Sequence, residues 1–179
     1  MSEFSPVQRS IPLIVAGLLA SGAAWSQSSP APAQSAAAPP AKAQAARADN
    51  VSIERGRYLA KIAGCNDCHT PGYPQAGGKV PEREWLVGDK LGFQGPWGVT
   101  YPSNLRLLMH RMSEADWVKM AKTQEMRPPM PWFILRDMTE QDLRALHRFV
   151  RHLGPAGQAA PAYLPPGKDP QGPVVRFPG

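Results

Sequence analysis

Both cysteines of the chain lie in one short segment, residues 63–72, whose sequence is AGCNDCHTPG. Cys65 and Cys68 are separated by two residues, and His69 follows the second cysteine directly. Thiol and imidazole side chains serve metal ligation, redox chemistry and covalent attachment of a cofactor. The spacing of these three residues indicates which of those chemistries applies.

The C-x-x-C-H spacing matches covalent attachment of haem through two thioether bonds. Two thiols one turn of chain apart can add to the vinyl groups of adjacent pyrrole rings, and the next residue then lies beneath the iron. The sequence therefore predicts one covalent haem c with its iron. Cys65 and Cys68 are the predicted thioether sites, and His69 is the predicted proximal ligand.

Three other chemistries remain open for this motif. A structural zinc site needs four protein ligands, and the other histidines, His110, His147 and His152, show no paired spacing. A thioredoxin-like redox pair follows a strand in a βαβ pattern, whereas a predicted helix precedes this motif. A disulfide would close a loop of only two intervening residues, which is too short to stabilise the fold much.

Three helices are predicted around the motif. The first precedes it, with Asp49 or Asn50 as cap and Gly64 as its end. The other two begin at the capping boxes S-E-A-D, with Ser113 as cap, and T-E-Q-D, with Thr139 as cap. The last helix has apolar residues at helical spacing and is expected to end at Gly154: Leu143, Leu146, Phe149, Val150 and Leu153.

The region between the first two helices is rich in glycine and proline and shows no sustained period. It is predicted to be mainly loop, with short strands at residues 85–87 and 97–100. A domain of about a hundred residues with so long a loop has a thin apolar core. A cofactor is therefore expected to fill its centre.

The N-terminal residues 1–26 are predicted to be an export signal. Arg9 precedes an apolar run at residues 11–25, and small residues allow cleavage after Ala24 or Ser26. As a helix the run would span about 22 Å, which is short for a membrane crossing. A buried helix and an uncleaved anchor are the alternatives.

Two further segments have compositions that do not predict a core. Residues 27–50 consist mostly of Ala, Pro, Gln and Ser, and are predicted to be a flexible linker. Residues 156–179 form a tail rich in Pro and Gly that could lie extended on the domain. The folded domain is then expected at residues 51–155.

The formal net charge is +6, from 20 Lys and Arg against 14 Asp and Glu. These basic residues form no run of five or six, so nucleic-acid binding is not expected. Basic residues of the C-terminal half could form a rim that attracts acidic partners, or only a solvated helix face: Lys119, Lys122, Arg127, Arg136, Arg144, Arg148 and Arg151.

The chain resembles the class I c-type cytochromes, in particular the single-haem domains that serve bacterial periplasmic or membrane-associated dehydrogenases. The resemblance covers about residues 51–155 and rests on RGRYLAKIAGCNDCHTPG, GPWGVTYPSNL and RPPMPWFILRDMTEQDLRALHRFVRHLGP. It implies an all-α fold around one haem. It also implies that the first and last helices cross near Gly56, with Leu146 or Phe149 packing there.

The resemblance further implies a methionine as distal iron ligand shortly before the last helix, and Met130 fits. Its R-P-P-M-P-W context fixes the backbone and removes amide donors on both sides. Core packing is the expectation for the other methionines considered, Met120, Met126 and Met138. His110 is the reserve ligand.

Two loop residues also resemble family positions close to the haem. These are Trp97 in GPWG and Asn104 in TYPSNL, and Arg106 could act in the same way. Loop structure and turn chemistry are the alternative for each of them.

An iron with histidine and methionine ligands has no open position and suits one-electron transfer. The sequence therefore predicts a periplasmic electron carrier, not an enzyme in its own right, although it could be a subunit of an oxidoreductase complex. The expected donor is a dehydrogenase, and the expected acceptor is a cytochrome or terminal oxidase of the respiratory chain. Membrane association would need an uncleaved N-terminal segment. The alternative is a haem enzyme or gas sensor with a labile sixth ligand.

Overall fold

The structure is a computed structural model that describes residues 40–178. The predicted export signal and residues 27–39 of the predicted linker lie outside the described residues. Among the described helices, none combines the length and the hydrophobicity that a membrane span requires.

Helices dominate the described part of the chain, which confirms the predicted all-α class. The six helices are α1 Ala41–Ile62, α2 Cys65–His69, α3 Leu105–Arg111, α4 Glu114–Thr123, α5 Trp132–Asp137 and α6 Glu140–Leu153. A 3-10 turn spans Glu82–Glu84. A small sheet contains β1 Gly92–Gly95, β2 Gly98–Thr100 and β3 Val174–Arg176, in the order β2-β1-β3.

The most extensive helix contact is the crossing of α1 and α6. At Gly56 an added Cβ would lie 2.1 Å from the Ala145 carbonyl oxygen and 2.6 Å from Phe149 Cβ. Only glycine permits so close an approach of the two backbones. The crossing expected near Gly56 is confirmed, and Phe149 rather than Leu146 provides the nearest side-chain atom.

The predicted caps of the two later helices are also confirmed. Ser113 Oγ accepts the Asp116 N–H at 3.1 Å, and Thr139 Oγ1 accepts the Asp142 N–H at 3.1 Å. These contacts satisfy amide donors that a helix N-terminus leaves unpaired. The last helix ends at Gly154, whose φ is +74°.

The first helix begins earlier than predicted, at Ala41 rather than after Asp49 or Asn50. Residues 41–50, predicted as linker, are therefore helical. The composition of residues 41–50 predicts a linker because it offers little apolar surface for a core. Ala, Lys, Gln and Arg nevertheless have high helix propensity, and extending a helix that is already formed costs far less than nucleating one.

The strand predicted at residues 85–87 is absent. Leu86 has a φ of +62°, which a strand does not allow, and its N–H donates to Thr70 Oγ1 at 2.8 Å. The other predicted strand is present as β2 and pairs antiparallel with β1, with Gln94 opposite Val99. The helices α3 and α5, of seven and six residues, were not predicted because they are too short to show a helical pattern of apolar residues.

The proline-rich tail follows the domain in extended form, as expected. Strand β3 pairs parallel with β1, with Gly92 opposite Val174. Leu164 also forms an isolated antiparallel bridge with Val99 of β2. The tail is thereby joined to the sheet at two points.

Gly56→Ala tests the α1–α6 crossing. Helix propensity alone predicts a gain of about 1 kcal/mol, whereas overpacking at the crossing is expected to cost about 3 kcal/mol net. The measurement is the free energy of unfolding of the haem-loaded protein in urea. Lys61→Ala, on the exposed face of the same helix, should change it little. A stabilised Gly56→Ala variant would contradict the described packing.

Glu114 is expected to stabilise the fold in a pH-dependent way, because its carboxylate contacts Arg144 at 3.1 Å and Arg148 at 2.8 Å. Burial raises the Glu114 pKa, but hydrogen bonds from Arg148 and Arg144 outweigh this and hold it below its ordinary value of 4.5. A lowered folded-state pKa stabilises the fold above pH 4.5, and this contribution is lost as the pH falls through the lowered value.

We expect Glu114→Gln to lower the free energy of unfolding by up to about 1 kcal/mol at pH 7. The difference from wild type should shrink as the pH falls below 4.5. Urea titrations at several pH values measure it. Glu140→Gln is the control, since Glu140 contacts Arg144 from an exposed position. A difference independent of pH would contradict the electrostatic origin.

Candidate functional site

The turn between α1 and α2 positions the C-x-x-C-H motif. Gly64 has a φ of +71°, which lets the chain leave α1 and enter α2 at once. The short helix α2 consists of the motif itself, Cys65–His69. Both cysteines and the histidine thereby reach the same cavity.

This cavity has a volume of about 680 Å³ and is lined largely by apolar side chains. That volume lies in the usual range for sites that enclose a cofactor. Residues from several helices and from the tail complete its lining: Met109, Met120, Met130, Leu135, Leu146, Val150 and Tyr163. A large apolar cofactor attached at α2 fits this arrangement.

His69 is held in one orientation by the backbone. Its side chain is buried, and Nδ1 lies 2.7 Å from the Ser103 carbonyl oxygen. Burial lowers the His69 pKa, with the Ser103 contact acting in the opposite direction, so the neutral ring is favoured at pH 7. With the proton on Nδ1, Nε2 has a free lone pair for a metal.

Ser103 is a functional residue that the sequence did not indicate. Its contribution is a main-chain carbonyl, which every residue type possesses. The preceding Pro102 and the following Asn104 indicate only a turn. No local pattern could have shown that this turn meets His69.

The motif is also fixed to the loop that follows it. Thr70 Oγ1 donates to Asn66 Oδ1 at 2.8 Å and accepts the Leu86 N–H. The Gly88 N–H donates to the His69 carbonyl at 2.9 Å. The contacts from Leu86 and Gly88 hold α2 and its C-terminal Thr70 against the loop and limit their movement.

The cysteines do not have the properties of a thiol redox pair. Both thiols are free, and burial raises the pKa of Cys65 to about 11 and raises that of Cys68 as well. A reactive thiolate requires the opposite shift. A helix, not a strand, precedes the motif, as predicted.

A zinc site is not supported either. Within residues 40–178, no group of three or more His, Cys, Asp or Glu could hold a metal ion. Structural zinc needs four such ligands. Covalent attachment of haem is the chemistry of the motif that the adjoining apolar cavity supports.

The proline-framed Met130 lies at the cavity, as do Met120 and Met126. Its N–H donates to the Arg127 carbonyl at 3.3 Å, and the Thr100 hydroxyl donates to the Pro128 carbonyl at 2.6 Å. Met138 and the reserve ligand His110 are not among the lining residues. The structure thus brings Met130, but not His110, to the cavity shared by the motif.

Trp97 and Asn104 do not line the cavity. The Asn104 side chain accepts the Leu107 N–H at the start of α3 and donates to the carbonyls of Ala156 and Gln158. The Trp97 ring packs on Phe177 at 5.5 Å between centroids. The contacts of both residues are those of turn and tail structure.

Arg106 likewise has a structural role. Its guanidinium donates to the carbonyls of Arg83, Leu153 and Gly154. Two of these carbonyls belong to the C-terminal end of α6, where helix carbonyls lack partners. The buried arginine therefore caps α6 from α3.

A comparison with known proteins identifies the family of the chain. A family model described as Cytochrome c matches residues 53–154, which is more than half of the chain. No curated protein and no solved structure matches the chain. The matched span contains Cys65, Cys68 and His69, which fit the C-x-x-C-H haem-binding motif, and a domain of this kind carries one covalently bound haem c with iron. The cavity, the motif and the match agree, and the chain belongs to the cytochrome c family.

Proposed function

We propose that the protein is a one-electron carrier whose haem is bound through Cys65 and Cys68 and ligated by His69 and Met130. Membership of the cytochrome c family indicates haem-based electron transfer. The observation that carries the proposal is the shared cavity, which is lined by all four of these residues.

Each of these residues has a defined task in such a carrier. His69 offers Nε2 while Ser103 holds its ring, and Met130 offers a thioether from a segment that prolines stiffen. Haem c supplies a reversible one-electron iron couple when bound. Two protein ligands leave no position for a substrate, so the residues favour a carrier over an enzyme.

The apolar lining supports the same role. Side chains such as Leu135 and Leu146 exclude water from the space beside His69. A dry surrounding and a methionine ligand both favour the reduced form and raise the potential. Little rearrangement is then needed when the charge changes.

The proposed setting is the periplasm, with a dehydrogenase as donor and a respiratory cytochrome or oxidase as acceptor. Support comes from the export pattern of residues 1–26 and from the resemblance described above. Cytochrome c domains in general interact with redox partner proteins.

Salt bridges pair some basic residues of the expected rim with carboxylates. Arg144 and Arg148 both contact Glu114, and Arg136 contacts Asp137. Lys119, Arg127 and Arg151 are exposed and form no salt bridge in the part of the chain that the structure describes. Any attraction of acidic partners is therefore proposed to depend on these three residues more than on Arg136, Arg144 and Arg148.

Met130→Ala tests the distal ligand in protein produced with the haem-attachment machinery. Wild type should be low-spin, show the methionine–iron charge-transfer band and not bind carbon monoxide when reduced. The variant should lose the band and bind carbon monoxide, because the sixth position is open. Optical spectra of the oxidised, reduced and carbon monoxide-treated protein measure this.

Met126→Ala is the matched control, since Met126 also lines the cavity but lacks the proline frame. It should keep the band. Rapid carbon monoxide binding by wild type would instead support the alternative function, a haem enzyme or gas-binding protein with a labile sixth ligand.

A further inference from the structure

The tail contributes to the cavity although it lies outside the family match. The match ends at residue 154, and both Pro161 and Tyr163 line the cavity. Two backbone hydrogen bonds hold this part of the tail. The Val99 N–H donates to the Leu164 carbonyl at 2.8 Å, and the Leu164 N–H donates to the Val99 carbonyl at 3.0 Å.

The half-buried side chain of Tyr163 is held at its hydroxyl group and at the face of its ring. Its hydroxyl donates to the Trp97 carbonyl at 2.8 Å. The Arg127 guanidinium lies 4.0 Å from the centre of its ring. That distance is well within the range of a cation–π contact, which favours a fixed position of the arginine.

Arg127 belongs to the Met130 segment, which we define as residues 126–131. Its carbonyl accepts the Met130 N–H at 3.3 Å. A shift of Arg127 would therefore also shift Met130, which lies three residues further along the chain. Thr100 also donates to the Pro128 carbonyl, and at the start of α5 the N–H groups of Trp132 and Ile134 donate to the carbonyls of Met130 and Pro131. The segment is therefore held by the sheet, by α5 and, through Arg127, by the tail.

We infer that Tyr163 is a positioning residue that fastens the Met130 segment to the tail through Arg127. This inference rests on the proposed ligation by Met130. The tail is then part of the site, because it stabilises the arrangement in which the thioether stays at the iron.

The contact of Tyr163 with Arg127 should affect how readily another ligand displaces Met130. An external ligand can bind only when the segment has moved away, so its apparent affinity scales with the fraction of open molecules. Loss of the cation–π contact and the hydroxyl bond should raise that fraction about tenfold, which corresponds to about 1.4 kcal/mol.

The test is a titration of the oxidised haem-loaded protein with imidazole, followed by the methionine–iron charge-transfer band. Tyr163→Ala should bind imidazole about tenfold more tightly than wild type. Tyr163→Phe keeps the ring beneath Arg127 but loses the hydroxyl bond, so a smaller effect of about threefold is expected. The reduction potential, measured in parallel, should fall in the same order because water reaches the cavity.

Arg127→Ala tests the same contact from its exposed side and leaves the tail sequence intact. It should tighten imidazole binding about fivefold. The double variant Arg127→Ala/Tyr163→Ala should resemble Tyr163→Ala alone, because the two side chains act through one contact. Additive effects of the two substitutions would overturn the inference.

Tyr58→Ala is the matched control. Tyr58 is 51% exposed on α1, does not line the cavity and has the Arg55 guanidinium 5.6 Å from its ring centre. It should bind imidazole as wild type does. A Tyr163→Ala protein with wild-type imidazole affinity, even if less stable in urea, would overturn the inference.

Met130→Ala separates this inference from the proposed function. If Met130→Ala loses the band and Tyr163→Ala behaves as wild type, only the positioning role fails. If Met130→Ala keeps the band, the ligation itself fails, and the positioning role fails with it.

Discussion

The close approach of α1 and α6 at Gly56 is the constraint on which the rest of the structure depends. Helix α1 carries the motif just beyond its C-terminal end, and α6 contributes Leu146 and Val150 to the cavity. The two helices can enclose a common space only because Gly56 lets their backbones touch. A side chain at this position would separate the motif from the apolar surface that surrounds the cofactor.

Main-chain groups hold the site as well as side chains do. The Ser103 carbonyl selects the tautomer and orientation of His69, and the His69 carbonyl is itself held by Gly88. Arg106 also contributes by donating to the carbonyls at the C-terminal end of α6. A rigid backbone around a neutral imidazole suits a centre whose charge changes while its geometry stays constant.

Local signals explain what could be predicted from the sequence. The spacing of Cys65, Cys68 and His69, the caps Ser113 and Thr139 and the stop at Gly154 each depend on a few neighbouring residues, and all of these features are found in α2, α4 and α6. The helical spacing of the last segment is equally local.

The features that were missed arise from contacts between distant parts of the chain or from conformations that residue type conceals. Leu86 adopts a positive φ because Thr70 and Leu105 bind its backbone, and no propensity for leucine indicates this. The tail composition gave no sign that Tyr163 would reach the cavity. The Asn104 side chain has a donor group, but in the structure two carbonyls of the tail accept its hydrogen bonds.

The short strand β3 has a consequence for the end of the tail. It has three residues, and Val175 and Arg176 are exposed, so its pairing buries little surface. Segments of this kind open locally at a small fraction of the free energy of global unfolding. None of its residues lines the cavity, and the bridge between Val99 and Leu164 holds the earlier part of the tail independently of β3. Amide hydrogen exchange would then be fast in the last strand and slow at the helix that carries the thiols.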